Sequence, residues 1–230
     1  MTYRWLRIFR TSVAVVFIIL IGLAFIDFTG LFPDKLMKGT LWIQFVPSLL
    51  KFSRVLTFSA LGLAVILPIT LLFARFYCAS ICPLGILQDV ILRIARRFKK
   101  IRFKYQKPIN WVRHFLLGFT VLTVLTGSML VVNLIDPYSV FGRIFSDLLR
   151  PLVTAGNNML AWIFQSMDIY TFYYVDIHPL NWTIYLVPVI FLFVISYLTV
   201  IHGRIYCNTI CPVGTLLGYL SKISVFKIRI

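Results

Sequence analysis

The sequence predicts an all-α integral membrane protein: four transmembrane helices in two pseudo-symmetric pairs, with interfacial amphipathic helices beside them. Three observations predict it. Of the 230 residues, 60% are hydrophobic and the mean hydropathy is +0.92, whereas soluble domains sit nearer half apolar. The excess is gathered into uncharged runs close to the about 20 residues that a helix needs to cross a bilayer. Finally, one block recurs: "RFYCASICPLG" from Arg75 and "RIYCNTICPVG" from Arg204, each following such a run. The chain reads as a single membrane domain over residues 1–230, with an internal repeat around 55–102 and 182–229.

The elements follow in order. Arg4, Arg7 and Arg10 precede an apolar run from Val13 to Ile26, and no small-x-small cleavage pattern follows it. This marks a retained first span near residues 11–28 rather than a removed signal. The second span is 55–74, with Pro68 inside it, the third is 115–135, and the fourth is 182–201, with Pro188 inside it. Segment 151–166 is apolar but carries Asn157, Asn158 and Gln165, so it reads as an interfacial or re-entrant helix. Asp27 and Asp136 mark where spans leave lipid, and Pro137 breaks the helix after Asp136.

The net charge of +16 comes from 23 Lys and Arg against seven Asp and no Glu. The basic residues flank apolar spans and form no soluble basic module, which excludes nucleic acid as the partner. Most of them lie in the N-terminus, in 75–113 and in 202–230. The positive-inside rule places these three segments on the cytoplasmic face. The expected location is a bacterial-type inner membrane, with both termini and both cysteine blocks cytoplasmic, and with 27–54 and 136–181 outside. Cytoplasmic thiols stay reduced, so structural disulfides are not expected.

The blocks align at an offset of 204 − 75 = 129 residues and pair Arg75 with Arg204, Tyr77 with Tyr206, Cys78 with Cys207, Ile81 with Ile210, Cys82 with Cys211, Pro83 with Pro212, Gly85 with Gly214 and Leu87 with Leu216. Proline suits the first position of a helix and kinks or breaks the helix when interior. The spanning helix is therefore expected to end near Tyr77 or Cys78. A tight turn follows, and Cys82 caps a new helix in which Leu87, Val90, Ile91 and Ile94 form the apolar face, opposite Asp89, Arg93, Arg96 and Arg97. Two span pairs of one direction imply an axis along the membrane normal, which sets the blocks face to face.

Four cysteines on two such turns make the ligand count of an iron–sulfur cluster. Helix N-termini favour thiolate charge, with Arg75 and Arg204 as supporting charges. A four-cysteine zinc site has the same count but leaves the spans without a purpose. A dithiol relay, inert buried thiols, a non-redox membrane anchor, and two separate sites completed by a partner stand as alternatives. His114 and His202 read as interfacial residues rather than haem ligands. Trp42, Trp162 and Trp182 read as belt residues. "DIYTFYYVDIHPL" reads as an aromatic loop at the bilayer surface, with a quinone pocket as its alternative, and Asp136 as a lesser candidate for a proton or quinone site. The run from Arg93 to Lys107 is assigned to anionic lipid, with docking of an acidic ferredoxin-like protein as the alternative.

The doubled C-x3-C-P block resembles the membrane polyferredoxin family, which includes the NapH-type quinol dehydrogenase subunit and the NosR-type protein of nitrous oxide respiration. The resemblance runs from "RFYCASICPLG" through "DPYSVFGR" to "GRIYCNTICPVG". It implies a 4Fe-4S cluster on Cys78, Cys82, Cys207 and Cys211. It also implies electron transfer between membrane quinone and iron–sulfur or flavin partners, as a component of an oxidoreductase system rather than a stand-alone enzyme. Members commonly continue into ferredoxin modules, so the resemblance leaves two alternatives: a short member, or the membrane part of a longer protein with a ferredoxin module after Ile230.

Overall fold

The structure, a computed structural model, describes residues 2–27, 33–54, 61–73, 76–98, 109–128, 130–166, 173–176, 182–221 and 223–224. It contains α1 (Thr2–Ile26), α2 (Asp34–Trp42), α3 (Phe45–Arg54), α4 (Leu61–Phe73), α5 (Phe76–Ser80), α6 (Pro83–Phe98), α7 (Asn110–Leu125), α8 (Leu130–Ile135) and α9 (Pro137–Arg143). A π-helical stretch, Ile144–Leu149, joins α9 to α10 (Arg150–Gln165); α11 (Trp182–His202), a π-helical turn (Tyr206–Ile210) and α12 (Pro212–Leu220) complete the chain. No strand occurs among the described residues.

Two helices are long and apolar enough to cross a membrane, through Ile8–Ile26 and Ile184–His202. Each buries only a narrow face. On α11, Ile195 and Thr199 are buried, while Leu186, Ile190, Phe193 and Tyr197 form an exposed stripe at helical spacing. In water such a stripe would be an association or aggregation surface. The expected second span is described from Leu61 onward as α4, with Pro68 inside it as Pro188 is inside α11; 55–60 and 74–75 lie outside the described residues.

The repeat is visible in the packing. Positions 129 residues apart are buried alike: Ile66 and Ile195, Thr70 and Thr199, Tyr77 and Tyr206, Cys82 and Cys211, Leu84 and Val213. Most of these residues join one apolar core together with Phe45, Val140, Ile144 and Leu217. Burial of equivalent positions on both halves is what an axis between them requires.

Several expectations are corrected. Residues 115–135 do not form one continuous helix. Helix α7 stops at Leu125, Gly127 takes φ +79, and α8 begins at Leu130. Both ends of this segment are held by the second cysteine block: Arg113 Nη2 donates to the carbonyl of Thr215 at 3.0 Å, and Tyr206 Oη donates to that of Ile135 at 2.9 Å. The segment therefore leaves the level of the block and returns to it. The positive φ, which glycine tolerates, makes the turn.

Asp136 consequently sits at the level of the cysteine turns and not on the opposite face. It caps α9 by accepting from Ser139 N at 3.0 Å. From there α9, the π-helical stretch and α10 form one uninterrupted helical run, so 151–166 is the second half of a longer rod and not a separate short helix. Its 165 − 137 + 1 = 29 residues reach about 43 Å at 1.5 Å each. Asn157 and Asn158 do not signal an interface. They clamp 173–176: Asn157 Nδ2 donates to the Tyr173 carbonyl, and Asn158 both donates to the Val175 carbonyl and accepts from its N–H.

The end of α1 at the cysteine level is its C-terminal end. The Phe25 ring lies 5.2 Å from that of Tyr138. Gly142 and Gly22 admit close approach: a Cβ on Gly142 would lie 2.6 Å from Phe25, and one on Gly22 3.0 Å from Phe145. Contacts of 25 with 142 and of 22 with 145 make α1 antiparallel to the rod. Arg10 and Arg4 thus lie 26 − 10 = 16 and 26 − 4 = 22 residues back along this helix, about 24 and about 33 Å from its C-terminal end.

Candidate metal centre

The two turns are built alike. The amide of Cys82 donates to the Tyr77 carbonyl at 3.0 Å and that of Cys211 to the Tyr206 carbonyl at 2.9 Å. These bonds span five residues, one more than an α-helical bond. They carry the helix past the first cysteine, to Ser80 and Ile210, rather than ending it at Tyr77 or Cys78 as expected. Pro83 and Pro212 then open α6 and α12. Cys211 caps α12, its Sγ accepting from Gly214 N at 3.4 Å, and Cys82 accepts from Gly85 and Leu84 in the same way.

Glycine at 85 and 214 is a steric requirement. A Cβ at Gly85 would lie 2.2 Å from the Cys78 carbonyl oxygen, and one at Gly214 would lie 1.9 Å from that of Cys207. Each C-x3-C-P-x-G block therefore folds the new helix back onto the carbonyl of its first cysteine. The tyrosines anchor the turns from outside. Tyr77 Oη accepts from Phe45 N at 2.8 Å and donates to Gln44 Oε1, while Tyr206 Oη holds Ile135.

The turns face one another. Charge is felt between the blocks: that of Cys207 at Cys82, and those of Cys82 and Cys78 at Cys211. All four side chains are thiols. Cys82, Cys207 and Cys211 are buried, and Cys78 is partly so. Burial, and then the charge of Cys207, pushes the Cys82 thiol up to about 12. The same two causes raise Cys211 well above the usual thiol range.

Contacts across the repeat come from α6. Arg204 makes a bidentate pair with Asp89, Nε donating to Oδ1 at 2.7 Å and Nη2 to Oδ2. Burial disfavours the Arg204 charge, but Asp89 and the charges of Cys207 and Cys78 outweigh this and favour it. Its supporting charge is thus shared between a carboxylate and the sulfurs. The carboxylate was missed as a partner because its equivalent in the second block is Gly218 and no repeat signal marks it. Gln88, which faces Cys207, was missed for the same reason. Ser80 and Thr209 were also missed; both are buried, their hydroxyls have no partner, and they occupy equivalent positions in the two turns, a signal that the 129-residue offset carried. Arg75 lies outside the described residues, so its supporting role is not placed.

The apolar face of α6 is turned from its expected direction. Leu84 and Gln88 are buried, while Val90, Ile94 and Phe98 are exposed beside Arg93 and Arg97. Asn110 and Tyr219 both bond the ring of His114. Of "DIYTFYYVDIHPL", only 173–176 is described.

Both blocks match one family. The model described as a 4Fe-4S binding domain matches residues 55–102 and again 183–230, which supports iron–sulfur binding and a 4Fe-4S cluster. No curated protein and no solved structure matches the chain.

The donor set fits such a cluster. No three His, Cys, Asp or Glu side chains among the described residues converge on a point that would hold one metal ion. A single ion with Zn–S bonds of about 2.3 Å needs its four sulfurs about 3.8 Å apart, and no such convergent group occurs among the described residues. A four-iron cluster carries each thiolate on a separate iron and collects them from a wider perimeter. Two turns that each present two sulfurs across an interface suit that perimeter.

Proposed function

We propose that the protein is a membrane electron carrier in which Cys78, Cys82, Cys207 and Cys211 hold one 4Fe-4S cluster. It would pass electrons between membrane quinone or a partner subunit and a ferredoxin-type redox partner, in the manner of the NapH- and NosR-type proteins that the doubled motif resembles. The observation that carries the reading is the pair of turns, alike in hydrogen bonding, helix start and glycine packing, set against each other with charge felt between them.

When bound, the cluster supplies one-electron chemistry that no side chain here provides. The chain's own residues do the rest. The proline-started helices aim N–H groups at the sulfurs, and Gly85 and Gly214 keep each helix against its turn. Arg204, fixed by Asp89, adds positive charge. The surrounding core of Tyr77, Ile81, Leu84, Tyr206, Val213 and Leu217 excludes water. Burial also argues against a dithiol relay, which needs an accessible thiolate of lowered pKa; Cys82 and Cys211 are buried and shifted the other way.

The apolar outer faces of α1 and α11 support membrane placement, and the excess of Lys and Arg around the cysteine turns supports a cytoplasmic position for them. In this topology 113–135 enters and returns, the rod 137–165 crosses beside α1 and α11, and the N-terminus lies on the face opposite the cysteines. Val90, Ile94 and Phe98, with Arg93 and Arg97, lie along the anionic lipid surface.

The test is iron and sulfide quantification with EPR on anaerobically purified protein. A cluster signal that disappears in Cys78→Ser and in Cys211→Ser is expected. Protein that stays iron-free after anaerobic reconstitution would sink the reading.

A further inference from the structure

We propose that Gln88 tunes this site from one side: its side-chain amide donates to the Cys207 thiolate and raises the reduction potential of the group held there. The inference rests on the four-cysteine reading above. Gln88 belongs to the first repeat, on α6, and has 0% of its surface exposed. It reaches across to the second repeat, where Cys207 Sγ donates to Gln88 Oε1 at 3.4 Å. Its Nε2 is buried and has no partner.

That contact suits a thiol and fails for a ligand. A ligating cysteine has lost its proton and only accepts, so a carbonyl oxygen facing it would repel. A half-turn of the amide exchanges oxygen and nitrogen with little change in shape. It brings an N–H to the sulfur and gives the stranded donor a partner. Buried donors without partners are rare and costly, so one rotation answers both demands.

The repeat shows that this is not a general property of the turn. The position equivalent to Gln88 is Leu217, which is buried and has nothing to donate, and the position equivalent to Asp89 is Gly218. Gln88 and Asp89 of α6 thus face Cys207 and Arg204 of the second block, while α12 offers the apolar Leu217 and Gly218 in return. Ser80 and Thr209 treat the halves alike; Gln88 breaks the pseudo-symmetry. Hydrogen bonds to sulfur are among the factors that set cluster potential, because a donor stabilises the added electron.

The experiment is an EPR-monitored redox titration of the full chain in detergent, wild type against Gln88→Leu and Gln88→Met, with iron and sulfide counted in each. The expected result is unchanged iron and sulfide with a potential lowered by roughly tenfold in the reduction equilibrium, about 59 mV for a one-electron couple. Leu217→Gln is expected to move it the other way. An unchanged potential in a variant that keeps its cluster overturns the role of Gln88 and leaves the four-cysteine site standing. A wild type without iron and sulfide overturns both. Should the variants not fold, wild type labelled with 15N at glutamine side chains reads the contact directly: a nitrogen hyperfine coupling at the reduced site supports it, and none refutes it.

Discussion

Substituting Gly214 tests the turn design with a magnitude read from the structure. The Cβ of Gly214→Ala would lie 1.9 Å from the Cys207 carbonyl oxygen, where side-chain carbons essentially never come closer than 3.0 Å. The turn must therefore open by about 1.1 Å (3.0 − 1.9 Å), the size of overpacking that costs about 1–3 kcal/mol. The opposing atom is backbone and cannot swing aside. Opening displaces Cys207 relative to Cys211, so the loss falls on the ligand pair before it falls on the fold. Gly214→Ala is expected to bind markedly less iron and sulfide per chain, and to melt lower by about 2–4 °C per kcal/mol lost. Gly156→Ala is the control: a Cβ there meets nothing within 4 Å, and a helical alanine adds about 0.5–1 kcal/mol. Wild-type iron and sulfide content in Gly214→Ala would refute the packing argument.

Other predictions follow from particular contacts. Arg204→Leu leaves the Asp89 carboxylate half-buried without its bidentate partner, a loss of about 1.5–3 kcal/mol in detergent unfolding; the double variant with Asp89→Leu should regain part of it, and strict additivity would count against the pair. Burial raises Asp136 to about 6 from an ordinary 3.8, so the fold holds its proton more tightly than the unfolded chain. Its contribution is greatest below pH 4 and falls away as pH rises through 6, by about 3 kcal/mol at most. Asp136→Asn, which keeps a good N-cap, should flatten that decline, and parallel melting profiles from pH 4 to 8 would contradict it. Asn158→Leu removes both bonds to Val175 and should speed hydrogen exchange at the Val175 amide. The proposed topology places the two ends of the chain on opposite faces, so membrane-impermeant labels attached near Thr2 and near Ser221 should react from opposite sides; labelling of both from one side would overturn it.

How much of the site was legible depended on whether its signal was local. The cysteine turns were: proline favours a helix start over a helix interior, and a cysteine before it becomes a cap. Each property acts within one turn of chain, and its repetition after 129 residues removed the ambiguity of a single motif. The helical class and the apolar exterior were legible for a similar reason, since hydrophobicity summed over a run depends on composition alone. The expected apolar face of α6 was not, because Gln88 is polar yet buried through a partner on the other half of the molecule.

The direction of segments was lost to hydropathy altogether. The run 115–135 is uncharged throughout and reads as a crossing, yet Gly127 turns it back and Arg113 and Tyr206 hold its two ends to one block. A window average registers greasiness and is blind to a reversal. Which end of α1 meets the cysteine turns was not legible either, because flanking charge is an indirect signal, whereas the contact of Phe25 with Tyr138 states it. By itself, then, the sequence determined the helical, strongly apolar character of the chain, the doubled turn and the four cysteines with their helix starts, all consequences of local sterics and composition. Only the tertiary structure decided which ends share a level, and that Asp89 and Gln88 of one half serve Arg204 and Cys207 of the other, because a long-range contact leaves no period or spacing along the chain.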